Sequence, residues 1–322
     1  MVFVAGIDEA GYGPFVGPFV VGFSLFRVPD WELDLWKLLH PAARPKPPRG
    51  DRRLLWLDDS KKVHSGKYGR DRLERSVAGF AELCQPGLPA ADDGLDRFVR
   101  CTPSGPARWL DAAAWLGRMD ESLCPRIDPD RARLDAAALR RALEAGGCGL
   151  DDFGCRAVPA GEWNDWIEQT DNKSETLFMV TMDVVRHLLA RTGHAPLRIE
   201  LDQHGARRQY GPRLARALAP DRVERHGETR GGSAYTLHFG ERAVQFRFSQ
   251  KADETHAPVS LASLAAKLVR ERAMDRFNRW WQERLPAVAP TKGYGVDGKR
   301  WLAEVEAEAA KHTDPALLRR VR

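Results

Sequence analysis

At 322 residues the chain is long for one compact domain and short for two. Its 43% hydrophobic and 30% charged residues are those of an ordinary soluble globular protein; 50 Lys+Arg against 45 Asp+Glu leave a net charge of +5, compatible with a phosphate-rich partner but too small to demonstrate one. No run of 18 apolar residues occurs, so no membrane helix and no membrane partner is expected.

The first predicted element is a strand, the apolar run Val2–Ile7, which is also too short for a signal peptide. A second strand, Phe19–Val28, follows across a Gly-rich turn with no room for a crossover helix, so the pair is predicted antiparallel. Pro41–Pro48 reads as a surface loop, and residues 67–84 as a helix with Leu73, Val77 and Phe80 on one face. From Pro86 to about Trp163 the texture changes. Two Ala-rich helices, about 107–119 and 131–145, lie between Pro- and Gly-containing breaks, the second opened by Asp128-Pro129 and closed by Gly146-Gly147. Residues of about 86–163 are therefore read as an inserted, mostly helical segment of unassigned role, within a single domain spanning 1–322.

Regular alternation then resumes. Asn172, with Glu175 three residues on, opens a helix from Ser174 to Arg191. The strand Leu197–Leu201 runs into Asp202; a helix follows, then strands at Tyr235–Phe239 and Ala243–Phe248. A long helix, Pro258–Leu285, is apolar on nearly all sides in its first half and is expected to be buried. Helix and strand mixed in this way predict an α/β or α+β domain. The five cysteines, Cys84, Cys101, Cys124, Cys148 and Cys155, form no Cys-x-x-Cys pair. Their spacing is unlike that of a zinc site, and their odd number fits a reducing cytoplasm.

Four acids stand where elements end, which is where a fixed backbone delivers a side chain toward solvent. Asp8 and Glu9 follow the first strand, Asp202 ends the strand at Leu201, and Asp253 lies between the strand ending at Phe248 and the helix entering at Pro258. Carboxylates gathered without basic partners repel one another unless a cation neutralises them, and an all-oxygen donor set suits Mg²⁺ or Mn²⁺. Two such ions would activate water and stabilise the leaving oxygen of a phosphodiester.

The residues around these acids carry a resemblance. Gly6-Ile-Asp-Glu-Ala-Gly-Tyr-Gly-Pro14 with Gly17-Pro18 resembles the opening signature of ribonuclease HII, the type-2 ribonuclease H family. Asp59-Ser60-Lys61-Lys62 is similar to its Asp-Ser-Lys-Lys loop. The strand ending in Asp202 is a third resemblance; Lys251-Ala-Asp253, followed by Ser260, Ser263, Ala266, Lys267 and Arg270, matches a fourth block at the family's spacings, and Lys292-Gly-Tyr294-Gly is similar to a segment near the family's C-terminus. The blocks occur in the family's order over about two-thirds of the chain, with residues 86–163 outside. The resemblance implies a ribonuclease-H-like mixed β-sheet flanked by helices. It also implies catalysis and metal binding by Asp8, Glu9, Asp202 and Asp253, and a cytoplasmic, monomeric endoribonuclease. Such an enzyme would use Mg²⁺ or Mn²⁺ to cut RNA/DNA hybrids or ribonucleotide-containing DNA duplexes, leaving 3′-hydroxyl and 5′-phosphate ends. A non-catalytic nucleic-acid-binding relative, and a nuclease of the same fold acting on another nucleic acid, are the alternatives.

Discrimination between RNA and DNA needs a sensor for the 2′-hydroxyl. Gly11 and Gly13, lacking a Cβ, let main-chain groups approach a sugar, and the resemblance assigns them that reading. The family has Arg between them; here Tyr12 stands there, able to stack on a base or sugar but not to fork onto a phosphate. Tyr294 matches the tyrosine that packs on the sugar beside the cut. Ser60, Lys61 and Lys62 are expected at the substrate, the lysines as phosphate contacts. Lys267 and Arg270 share a helical face that either lines a groove or meets solvent, and His256 is close enough in sequence to Asp253 for a part in proton transfer. Gln203 and Ala252 stand where the family usually has Gly; neither change removes a carboxylate.

Overall fold

The computed structural model describes residues 1–48, 50–99, 111–117 and 119–321. Seven strands form one mixed sheet: β1 (Val2–Ala10), β2 (Phe19–Val28), β3 (Gly149–Val158), β4 (Leu197–Asp202), β5 (Arg222–Glu228), β6 (Gly232–Phe239) and β7 (Arg242–Ser249). Their order across the sheet is β3-β2-β1-β4-β7-β6-β5. β4 runs parallel to both β1 and β7, and the remaining pairs are antiparallel. The mixed α/β sheet expected from the sequence is the one present.

The helices used below are α1 (Ser60–Val63), α2 (Gly69–Cys84), α3 (Pro129–Glu144), α4 (Ala160–Thr170), α5 (Lys173–Thr192), α6 (Gly211–Leu218), α7 (Ala252–Thr255), α8 (Ala257–Arg284) and α9 (Gly295–Ala309). None of the described helices is long and apolar enough to cross a membrane.

The side-chain alternation of β2 explains the layering. Val20, Phe26 and Val28 enter one core, with α8, α2 and α3, while Phe19, Val21, Phe23 and Leu25 enter the other, against α4 and α5. A central strand that is apolar on both faces must be covered on both. The cover on the α8 side is unusually close. A Cβ added to Gly6 would lie 2.1 Å from the backbone of Pro258, and one added to Gly22 2.1 Å from the carbonyl of Ala262. These two glycines let the first turns of α8 rest on the sheet, and the Ser24 hydroxyl donates to the Pro258 carbonyl at 2.8 Å to fix the contact.

Most strong sequence signals coincide with elements. Helices α2, α3, α5 and α8 begin and end within about two residues of expectation, and Asn172 caps α5 through the amides of Ser174 and Glu175. The segment read as an insertion needs a correction. Its last part, Gly149–Val158, is no helix but the strand β3, paired along β2 from Phe19↔Val158 to Arg27↔Gly149. Two glycines and the pair Asp151-Asp152 break the apolar alternation there, and only the tertiary pairing supplies the missing support. Of the helix expected at about 107–119, residues 107–110 and 118 lie outside the described residues, and the described 111–117 are one short helical step followed by turns. α3 packs along α2, joined by the fork of Arg75 onto Asp135 at 2.8 and 2.9 Å.

Candidate active site

Parallel pairing of Ile7 with Leu201 sets Asp8 and Asp202 at the same level on adjacent strands. Both belong to the residue set facing α8, since Ala5, Ile7, Ile199 and Leu201 fill the opposite core. Glu9, one step on, belongs to the other face. Parallel pairing of Asp202 with Ser249 then brings the end of β7 alongside, and the short α7 turns back across it. The turn is tied down by the Asp202 carboxylate, which accepts from the Ala252 amide at 3.0 Å and so holds the segment that carries Asp253. Lys251, which precedes it, adopts φ +54, a left-handed conformation that lets the chain reverse between strand and helix. Beyond Asp202, the Gln203 amide donates to the Ser249 carbonyl at 3.0 Å and the Gln203 side chain to the Arg207 carbonyl at 2.6 Å. Gln203 thus anchors the loop instead of facing a ligand.

The four acids are half-buried and act on one another. Burial, then the charge of Glu9, raises Asp8 well above the ordinary aspartate value, with Asp253 and Asp202 adding to the effect and a hydrogen bond from Ser263 opposing it. Burial and Asp202 push Glu9 up to about 7, and burial with Asp59 and Asp202 pushes Asp253 to about 6. Burial raises Asp202 too, against the amides of Ala252, Gln203 and Lys251. Mutual repulsion in a partly dry site is what a cation would relieve. As the side chains stand, no three His, Cys, Asp or Glu among the described residues are arranged to hold a metal ion. The fit to Mg²⁺ or Mn²⁺ rests on the donors: carboxylates alone, and within reach of each other's charge.

The Asp59–Lys62 block reaches this cluster from α1. Ser60 is buried, its hydroxyl accepting from that of Ser263 at 3.1 Å, and Ser263 also stands close enough to Asp8 to lower its pKa. Lys61 is exposed, and its charge lowers Glu9, Asp202 and Asp253 alike. Lys62 is engaged elsewhere, with Asp58 at 3.2 Å and Glu254 at 3.3 Å. The two lysines, adjacent in sequence, therefore have different surroundings.

On the far side of the acids lies the turn Gly11–Pro14. Gly11 has φ +88 and sits against the Arg270 side chain, whose Cδ is 2.8 Å from where a Cβ would be. Gly13 is exposed, its missing Cβ 3.8 Å from the Tyr294 ring, and Tyr294 is itself 48% exposed. The backbone of the turn is held from Gly293, whose carbonyl accepts from the amides of Phe15 and Val16 at 3.1 and 3.4 Å. Residues 280 positions apart thus form one surface beside the acids. Tyr12 packs edge-on to Phe19 and Trp163, each at 6.5 Å between ring centroids, and lies near enough to Glu9 to feel its charge.

Two neighbours, Arg320 and Lys173, have no local signal in the sequence. Arg320 donates to the carbonyls of Gly11 and Pro14 and has its guanidinium 4.9 Å from the Trp163 ring. Lys173 places its ammonium 4.6 Å from the centre of the Tyr12 ring. Arg270 donates to the Lys292 carbonyl at 3.0 Å, while Lys267 pairs with Glu271 at 2.6 Å, so the two do not share an open groove. His256 caps α8, 3.8 Å from the buried Glu200.

No protein-family model matches the chain, and no curated protein matches its sequence. Among solved structures it is similar to the ribonuclease H2 of Pyrococcus horikoshii OT3, at 17% identity and a TM-score of 0.40, over 98% of this chain and 92% of that one. The RNase HII of Archaeoglobus fulgidus, solved as a complex with PCNA, is similar at 15% identity and a TM-score of 0.42, over 99% and 94%. Bst-RNase HIII, solved in complex with Mn²⁺, is similar at 13% identity and a TM-score of 0.40, over 96% of this chain and 64% of that one.

Proposed function

We propose that the chain is a metal-dependent endoribonuclease of the ribonuclease H type. It hydrolyses the RNA strand of RNA/DNA hybrids, or ribonucleotides embedded in a DNA duplex, and leaves 3′-hydroxyl and 5′-phosphate ends. The observation that carries this reading is the gathering of Asp8, Glu9, Asp202 and Asp253 from separate strand and helix ends into one mutually repelling group beside the Gly11–Gly13 turn and Tyr294.

Asp8, Glu9, Asp202 and Asp253 are the residues that would hold Mg²⁺ or Mn²⁺. When bound, the ions supply positive charge for a phosphodiester and a water acidified toward hydroxide. The protein's own residues prepare the site. Ser263, bonded to Ser60, lowers the pKa of Asp8, the Ala252 amide fixes Asp202, and Lys61 offers an exposed cation at the mouth. Gly13 leaves main chain open toward a sugar, next to the exposed ring of Tyr294. The protein is read as a monomer whose partner is the nucleic-acid duplex.

Four matched duplexes test the proposal: all-DNA, DNA with one embedded ribonucleotide, RNA/DNA hybrid and all-RNA, each with Mg²⁺ or Mn²⁺ and with excess EDTA. Cleavage restricted to the ribonucleotide-containing DNA and the hybrid, and lost in EDTA, is expected. Cleavage of all-DNA at an equal rate, or cleavage that survives the chelator, overturns it.

A further inference from the structure

Behind and beside the Gly11–Pro14 turn lie three cations with no ion-paired carboxylate among the described residues, Arg270 feeling only the more distant charge of Glu271 and the Tyr294 hydroxyl. Arg270 and Arg320 are each 2% exposed, and neither forms an ion pair among the described residues. Arg320 spends one nitrogen on the carbonyls of Gly11 and Pro14, leaving its Nε and Nη1 without a partner, as is Nη1 of Arg270. Lys173, half-buried on the Tyr12 ring, has no carboxylate partner among the described residues either. Arg270 acts on Arg320, and Arg320 on Lys173. Burial, then Arg270, pushes Arg320 down to about 9, and burial, then Arg320, lowers Lys173. Buried charge is ordinarily matched by an opposite charge inside the protein, because an isolated buried ion is costly. Here no ion pair among the described residues supplies the match, which leaves room for an anion from outside.

The surroundings narrow its chemistry. The acid cluster is next door, with Glu9 acting on Tyr12, so a small carboxylate would meet repulsion on that side. A polyanion that spans both regions avoids this, with one phosphate at the acids and their cation and the next at the basic flank. Lys173 is the member of the trio with accessible surface, and its ammonium rests on an aromatic face that leaves its hydrogen-bond donors free.

We propose that Lys173, seated on Tyr12 with Arg320 and Arg270 behind it, is a phosphate subsite that holds a backbone phosphodiester of the strand being cut. Lys173 makes the contact; the two arginines are positioning residues that fix the turn and keep the flank positive. The subsite rests on the nuclease reading above and gives its substrate a second point of attachment.

The test compares the full-length wild type with Lys173→Met and Lys173→Arg. KM and kcat on an RNA/DNA hybrid are measured across a salt series, with melting temperature read with and without inorganic phosphate. Lys173→Met should raise KM about tenfold with kcat little changed, the mark of a lost binding contact. Its log–log salt slope should be shallower by about one. Its melting temperature should hold or rise, because a like-charge contact is relieved, and phosphate should stabilise it less than the wild type. Lys173→Arg should restore KM. A Met variant with wild-type KM and salt slope overturns the subsite, as does one in which melting temperature and activity fall together, which marks a structural lysine. If the wild type neither binds nor cleaves any duplex, the nuclease reading fails; a phosphate effect that still depends on Lys173 then keeps the anion site but overturns its assignment to a nucleic-acid backbone.

Discussion

The two halves of the sheet are built differently. β1 and β2 are sealed on both faces, α8 lying so close that Gly6 and Gly22 are the residues its backbone meets. Past β1, strands β4 and β7 bury apolar side chains, Leu197, Ile199, Leu201, Val244, Phe246 and Phe248, on one face only, and their other face is polar, buried along β4 at Arg198 and Glu200 and open along β7 at Arg247. Their other face carries Arg198, Glu200, Asp202, Gln245, Arg247 and Ser249, linked in part by the 2.9 Å bond from Arg198 to Gln245. The acids stand on the seam. Asp8 comes from the half sealed by apolar packing, and Asp202 from the half whose other face is polar. A site at such a border combines rigid placement with access for a large substrate.

The sharpest way to break this comparison is at the seam. Asp8→Asn should reduce cleavage about a thousandfold or more while leaving duplex binding nearly intact, since a neutral amide cannot serve the cation that the cluster requires. Single-turnover rates and binding isotherms on one hybrid check it, and an active Asn variant removes the acid cluster from catalysis.

The next largest effect belongs to the sealed half. Gly22→Ala would drive a methyl into the Ala262 carbonyl, and lifting α8 should cost about 3 kcal/mol. Gln245→Ala, on the open face, should change stability by no more than about 1 kcal/mol. Urea denaturation of both variants measures the contrast; equal losses would mean that the halves are packed alike.

A smaller effect separates the two lysines of α1. Lys61→Ala should raise KM about fivefold, roughly one charge-assisted contact, whereas Lys62→Ala, whose ammonium is already occupied by Asp58 and Glu254, should shift it less than about twofold. Equal shifts in the two KM values would show that the ion pairs of Lys62 open for substrate.

The smallest effect is one of pH on the polar face of β4. Glu200 is buried, its Oε2 has no hydrogen-bond partner, and burial raises its pKa above the ordinary 4.5 despite His256, Arg247 and Arg198. The folded protein therefore holds this proton more tightly than the unfolded chain. The stability it contributes is complete below the unfolded value and is lost as pH rises through the folded one. Glu200→Gln should then melt about 1–2 °C above the wild type at pH 8 and level with it near pH 4. A gain that is the same at both pH values would place its origin outside this ionisation.

What the sequence determined by itself was local or periodic. β2 is a nearly continuous apolar run rich in Val and Phe, α5 carries its own cap, and α8 is apolar on nearly every side in its first half, so each was legible before any contact was known. Of the positions read for the four acids, Asp202 ends β4 as expected, whereas β1 runs on through Asp8 and Glu9 to Ala10, and Asp253 lies within the short α7. β3 and β5 were not legible. Glycines and paired acids dilute the first, and the second, Arg-Val-Glu-Arg-His-Gly-Glu, is an edge strand with much of its length in water; pairing, not propensity, makes them strands. Tertiary structure alone decided the basic flank. Lys173 and Arg320 are 161 and 308 positions from Tyr12, in segments whose own sequence marks only a helix start and a chain end. A single lysine or arginine has no period and no spacing to read, and it becomes part of a site only when folding removes its water and gives it no carboxylate in return.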